Sequence, residues 1–214
     1  MARSEPDDRR RQREERTALR RKEILRAATE IFGTRGYKSG SLTEIAEQVG
    51  MTHAGILHHF GSKNQLLLAV LDYRDEQDVQ DLEGKHPPEG MALFKHLVAT
   101  ARYNAKRPGI VQTYAVLSAD SVTENHPAQD YFRDRFTELR VMLIRSLRQI
   151  CDPERMPSES ELDTAASAII GVMDGLQVQW LLDDGAVDLP QSTAFAIDAI
   201  LAALVAGRTG DRLA

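Results

Sequence analysis

Residues 41–60 read SLTEIAEQVGMTHAGILHHF, and the order of residue types in this stretch decides the fold. Ser41 and Glu44 have the S-x-x-E spacing of a capping box, in which two side chains satisfy main-chain N–H groups left free at a helix start. Leu42, Ile45, Ala46 and Val49 then recur on one helical face. Gly50 ends that helix where a left-handed backbone costs least. Thr52 is placed to cap a second helix, whose apolar positions are Ile56, Leu57 and Phe60. With small Ala46 before the turn and Ile56 after it, two helices can cross closely and steeply. That is the geometry of a DNA-binding helix-turn-helix.

The rest of the chain asks for helices throughout. Only 6% of its 214 residues are aromatic and 8 are proline, while Ala, Leu, Arg and Glu abound, and no alternating apolar run asks for a strand. No uninterrupted apolar run approaches the roughly 20 residues of a membrane span, and no apolar core follows the arginine-rich start, so neither a span nor a signal peptide is expected. The single Cys151 leaves no internal disulfide and suits a reducing cytoplasm. A cytoplasmic, all-α protein is the expectation.

The net charge of −5 argues against a nucleic-acid partner until it is divided. Residues 1–66 hold 13 Lys+Arg against 9 Asp+Glu, a net of +4, while residues 67–214 hold 14 against 23, a net of −9. A basic N-terminal segment on an acidic body fits one face that attracts phosphate and another that repels it. Residues 1–16 have almost no apolar groups and are expected to be a disordered basic arm. Its arginines 9, 10, 11 and 13 fit either an arm reaching into a neighbouring groove or a solvated tail.

Residues 17–66 are read as the helix-turn-helix domain and residues 67–214 as a ligand-binding and dimerisation domain. The first helix is expected over about Thr17–Arg35, with Ile24, Ala27, Ala28, Ile31 and Phe32 on its apolar face and Gly36 ending it. Ser62 and Gln65 offer a second capping box, opening a connector helix that runs to about Leu82. A loop follows from Glu83 to Gly90. Further helices are expected at Met91–Lys106, about Gly109–Val122, Ala128–Ile150, Glu161–Asp183 and Ser192–Ala206. The last two are apolar nearly all round and so ask for cover on both sides, which a second copy of the chain would supply as a four-helix interface.

The span from Ile24 to Leu67 resembles the DNA-binding domain of TetR-type transcriptional regulators. The resemblance rests on Phe32, Gly36 and Tyr37; Leu42, Thr43, Ile45 and Ala46; Gly50, Met51 and Thr52; His58 and Phe60; and Ser62, Lys63 and Leu66. L-S-A-D-S from Leu117, H-P-A-Q-D-Y-F from His126 and D-G-L-Q-V-Q-W-L-L from Asp174 resemble one branch of the family's C-terminal domains. Two positions depart from the pattern: Leu57 stands where Tyr is usual, and Ala54 stands where Gly is usual, with Gly55 following it.

The resemblance implies a homodimeric repressor that binds double-stranded operator DNA of palindromic sequence and is released by a small-molecule effector of unknown identity. The expected DNA-binding residues are Thr43, Thr52, His53, Gly55, His58, His59 and Lys63, with His53 best placed to read a base edge and Lys63 to hold a phosphate. Tyr103, Tyr114, Met173, Asp174, Gln177 and Trp180 are the expected wall of a ligand cavity. His53, His58 and His59 lack the three- or four-residue spacing of a helical metal site, so no metal is expected. No cofactor or catalytic activity is expected either, since Cys151 has no evident base and there is no glycine-rich phosphate loop. The alternative is a helical ligand-binding or scaffolding protein with weak or vestigial DNA binding, to which Leu57 would point.

Overall fold

The computed structural model describes residues 5–79 and 88–205. The described chain is built from helices: α1 (Glu5–Ser39), α2 (Leu42–Gln48), α3 (His53–Phe60), α4 (Lys63–Val79), α5 (Met91–Asn104), α6 (Pro108–Ser121), α7 (Gln129–Ile150), α8 (Glu159–Leu182) and α9 (Leu189–Val205), with one 3-10 turn at Pro153–Arg155. The expected end of the connector helix near Leu82, the loop from 83 to 87 and the last residue of the final expected helix lie outside the described residues.

The local signals in the sequence act as read. Ser41 and Glu44 form both halves of their capping box. At Ser62 one half forms: the Gln65 N–H donates to Ser62 Oγ at 3.1 Å, while the Ser62 N–H turns to the Phe60 carbonyl. Gly36 breaks α1 with φ +71° and ψ 173°, a conformation that only glycine adopts freely.

One expectation is corrected at the N-terminus. The helix does not start near Thr17 but is already formed at Glu5, so residues 5–16 are helical rather than disordered. Its residues from Asp8 to Arg21 are solvent-exposed, so packing does not explain it. Arg, Glu and Gln are strong helix formers, and Arg10 and Glu14 pair at 2.9 Å one turn apart.

Ile24, Ala28 and Phe32 of α1, Ile45 and Ala46 of α2, Ile56 and Phe60 of α3, and Leu66, Leu67, Val70 and Leu71 of α4 form one buried cluster. That cluster continues into Tyr114 and Leu117 of α6 and Phe132 of α7. A unit of this size buries too little apolar surface alone, and the C-terminal body completes its core. Gly33 lets α1 lie against α6, since a Cβ there would sit 2.4 Å from Thr113 Oγ1. Thr113 in turn donates its hydroxyl to the Thr29 carbonyl at 2.8 Å, binding the two helices together.

A second cluster joins α5, α7, α8 and α9 through Leu93, Phe94, Leu143, Leu147, Leu162, Ile169, Ile197 and Leu201. By length and composition α8 is apolar enough to cross a membrane. It has two apolar faces: one packs on the bundle, and the other carries Val178 and Leu182 into solvent, while Phe195 of α9 is exposed as well.

Candidate nucleic-acid interface and ligand cavity

The helix-turn-helix is held by its buried face and displays its polar one. Ile56 and Phe60 anchor α3 against α1 and α2, and Thr52 Oγ1 accepts from the Gly55 N–H at 3.1 Å to cap it. Gly50, at φ +63°, makes the turn between the two helices. The consequence is that Thr52, His53, Ala54 and His58 face solvent together, with Thr43 exposed in the first turn of α2. Gly55 is half-buried; a Cβ there would meet Met51 Cε at 3.1 Å, so it lets α3 seat against its own turn. Leu57, the residue that replaces the usual Tyr, is also half-buried.

Lys63 and His59 are less free than their sequence positions imply. Lys63 Nζ lies 4.6 Å over the Tyr37 ring and donates to the Lys38 carbonyl at 3.3 Å, and partial burial lowers its pKa. It therefore braces the turn between α1 and α2 while its remaining N–H groups stay available. His59 is half-buried; burial first, then the positive charges of His58, Arg21 and Arg20, lower its pKa. Arg21 explains how α3 is clamped at this end, with its guanidinium 4.1 Å from the Phe60 ring and a hydrogen bond to the His59 carbonyl at 2.9 Å.

Inside the C-terminal body a cavity of about 90 Å³ lies between α4, α5, α6, α7 and α8. Leu97, Leu139, Met142, Leu143, Ile169 and Ile170 make its apolar wall, and four of the residues singled out in the sequence, Tyr114, Met173, Asp174 and Gln177, line it too. Tyr103 and Trp180 do not. Tyr103 is 46% exposed and stacks under Arg107, because it precedes the buried Asn104 and turns to the other side of α5. Trp180 is buried with Ala101, Val111 and Leu189 in a separate cluster, about one turn beyond the cavity along α8.

The polar end of the cavity rests on residues the sequence gave no reason to group. Arg74 of α4, 6% exposed, lies 4.1 Å over the Tyr114 ring and pairs with Asp75 at 3.0 Å. Arg135 of α7 reaches the same Asp75 carboxylate at 2.8 Å, and the Tyr131 hydroxyl donates to it at 2.5 Å. Burial and the bond to Asp75 push the Tyr131 phenol up. Burial opposes the Arg135 charge, yet Asp75, Tyr114 and Tyr131 raise its pKa on balance. Asp174 is the exception: burial pushes it up to about 6, against the pull of Arg74 and Arg135. Arg74, Arg135, Thr100 and Asn104 are the polar cavity residues that sequence reasoning missed, along with the apolar wall. The only hint was a basic residue inside the otherwise acidic YRDEQD run from Tyr73.

Comparison with known proteins accounts for both parts. Residues 24–70 match the family model described as bacterial regulatory proteins, tetR family, and residues 111–206 match one described as BetI-type transcriptional repressor, C-terminal. The HTH-type transcriptional regulator TtgR of Pseudomonas putida is 28% identical over 181 residues, covering 79% of this chain and 83% of the relative. The HTH-type transcriptional repressor BepR of Brucella suis is 26% identical over 175 residues, covering 79% and 84%. Among solved structures, the SmeT–triclosan complex superposes with a TM-score of 0.72 at 19% identity, covering 92% of this chain and 99% of that one, which speaks for the fold. The chain belongs to the TetR family of transcriptional regulators, with the DNA-binding and regulatory character that the family carries.

Proposed function

We propose that the chain is a homodimeric repressor that binds a palindromic operator and leaves it when a small molecule enters the C-terminal body. The observation that carries the reading is the division of α3: Ile56 and Phe60 are buried while Thr52, His53, Ala54 and His58 stand outward on one polar surface. A short helix that hides its apolar face and exposes a mostly polar one suits insertion into a major groove. His53 and its neighbours then meet base edges. Thr43, Thr52, His58, His59 and Lys63 meet the backbone, and Gly55 keeps α3 close to its turn.

Two-fold symmetry is supported by the unpaired apolar faces of α8 and α9. Gly171, Gly175, Val178 and Leu182 follow one another at helical spacing, and Leu182 and Phe195 are 83% and 77% exposed. A second copy would cover them and place the two α3 helices about one DNA turn apart, roughly 34–36 Å.

Release is supported by the cavity and by names among the relatives. At about 90 Å³ the cavity holds a group of a few heavy atoms. A drug-sized effector needs about 300 Å³ or more, so its entry would part α4 from α7 and α8 and favour another spacing of the dimer. SmeT is described in complex with triclosan and as the repressor of a multidrug efflux pump, and the C-terminal family model is described as that of a repressor. The role is cytoplasmic. Selection of binding sites from random duplexes by the full chain tests the reading. The expected result is a palindrome with half-sites about one turn apart, and recovery of no sequence preference would reject it in favour of a ligand-binding protein with vestigial DNA contact.

A further inference from the structure

The helical start of α1 organises a charge pattern that a disordered arm would lack. Arg9, Arg13, Arg16 and Arg20 follow at i, i+4, i+7 and i+11, which at about 100° per residue keeps all four within about 60° of arc. With Gln12, Thr17 and His59 they line an open groove of about 570 Å³ between α1 and the end of α3. Glu14 and Glu15 point to the far side of the helix, and Glu14 is taken by Arg10 at 2.9 Å. Arg20 joins the stripe to the helix-turn-helix, pairing with Glu23 at 2.7 Å and donating to the Val49 carbonyl at 3.4 Å. The stripe extends about 16 Å along the axis from Arg20 to Arg9, and His59 makes it continuous with α3.

We infer that this face of α1 is a second DNA site, a rigid arginine rail that grips the sugar–phosphate backbone outside the bases read by α3. The occupant follows from charge and continuity. Four guanidiniums on one face are a poor match to the acidic body and a good one to a row of phosphates, where each contact releases counterions. The helix is already formed, so ordering it on DNA costs little conformational entropy. The rail carries no base-reading geometry, and its expected effect is on affinity and footprint, not on sequence preference. This rests on the DNA-binding reading above and adds to it a contact outside the helix-turn-helix.

The experiment compares the full chain with Arg13→Ala/Arg16→Ala and with Arg11→Ala/Lys22→Ala. The second pair removes the same charge from the far side of α1, and all four residues are exposed, so helicity by circular dichroism should be unchanged. Each is titrated by fluorescence anisotropy against a duplex carrying the selected operator, with long flanks and with flanks trimmed to the half-sites. The expected result is that Arg13→Ala/Arg16→Ala loses about tenfold in affinity on the long duplex and flattens the salt slope by about 3 to 4 for a dimer, at roughly 0.9 per phosphate. It should bind the trimmed duplex like wild type, with the same base preferences. Equal losses in both double variants would reduce the effect to net charge and overturn the rail, as would an unchanged slope. If wild type binds no DNA at all, the functional reading and the rail fail together; if it binds an operator whose affinity ignores the flanks, only the rail fails.

Discussion

Asp120, at the C-terminal end of α6, accepts a hydrogen bond from the main-chain N–H of Tyr37 at 3.1 Å, directly beneath the break in α1. Gly36 makes this approach possible, since a Cβ there would lie 2.6 Å from Asp120 Oδ2. The DNA-binding unit is thus tied to the C-terminal body at its first turn, and His126 adds an edge-on contact to the Tyr37 ring at 5.2 Å. Gly36→Ala combines a strained backbone with this clash and should cost about 1–3 kcal/mol. Asp120→Ala leaves a half-buried N–H without its acceptor, at about 1–3 kcal/mol. Because the second change removes the atom that the first one meets, the double variant should be less destabilised than the two singles summed. Additive losses in thermal denaturation would show that the two residues do not interact.

The reasons why some of this was legible in the sequence and some was not are physical. Ser41, Glu44, Gly50 and Thr52 act within four residues of their partners, so their spacing alone specifies the turn. The core positions of α1 repeat at 3.6 residues and could be read the same way. The Arg74–Asp75–Arg135–Tyr131 network spans about 60 residues of chain, and nothing local in Arg135 distinguishes it from the exposed Arg133 two positions earlier. Tyr103 lies on the expected helix but turns to its other side, and Trp180 lies about one turn beyond the cavity along α8. Residues 5–16 were misread because low hydrophobicity argues against a core, yet an extension of an anchored helix needs none: its nucleation is already accomplished by α1.

Lys63 has two separable roles, and one variant measures both. Lys63→Ala removes a cation–π contact worth about 0.5–1 kcal/mol, which should lower the melting temperature by about 1–4 °C. If it also holds a phosphate, the salt slope of operator binding should flatten by about 1 per subunit at all sequences. A lowered melting point with an unchanged slope would assign Lys63 to the Tyr37 turn alone.

The exposed apolar faces put the proposed dimer to a direct test. Leu182→Glu/Phe195→Glu places two charges where each side chain is largely solvated in the single chain, so the helical content should persist. Across a two-fold interface the same charges would be buried against their own copies. Sedimentation should then report a monomer, with operator affinity down by at least about 100-fold because only one half-site is engaged. A variant that remains dimeric would move the interface away from α8 and α9.

His59 gives operator binding a pH dependence of predictable sign. In the free chain burial and its cationic neighbours hold its pKa below the usual histidine value, so it is neutral at pH 7. A phosphate close to the ring would favour the charged form and raise that pKa, so binding takes up protons and tightens as pH falls. The comparison is with His59→Gln, which leaves the neighbouring His53 and His58 in place. Between pH 7.5 and 6, wild type should gain several-fold more affinity than the variant. Parallel pH profiles would place His59 away from the backbone.

Asp174 makes the opposite use of burial, and its signature is in stability. Its folded pKa of about 6 lies above the ordinary 3.8, so folding favours the protonated form. The stabilisation tied to that proton is full below about pH 4 and is lost as pH rises through 6. At pH 7 the charged carboxylate therefore stands as a penalty of about 1–2 kcal/mol, allowing for its partial exposure. Asp174→Asn removes the titration and keeps the shape. The difference in unfolding free energy between variant and wild type should be near zero at pH 4, rise through pH 6 and level off by pH 7, with the variant more stable. A flat difference would mean that Arg74 and Arg135 fully compensate the charge. A difference of the opposite sign would mean that the carboxylate is a needed partner of those arginines, and that the cavity is held shut by it.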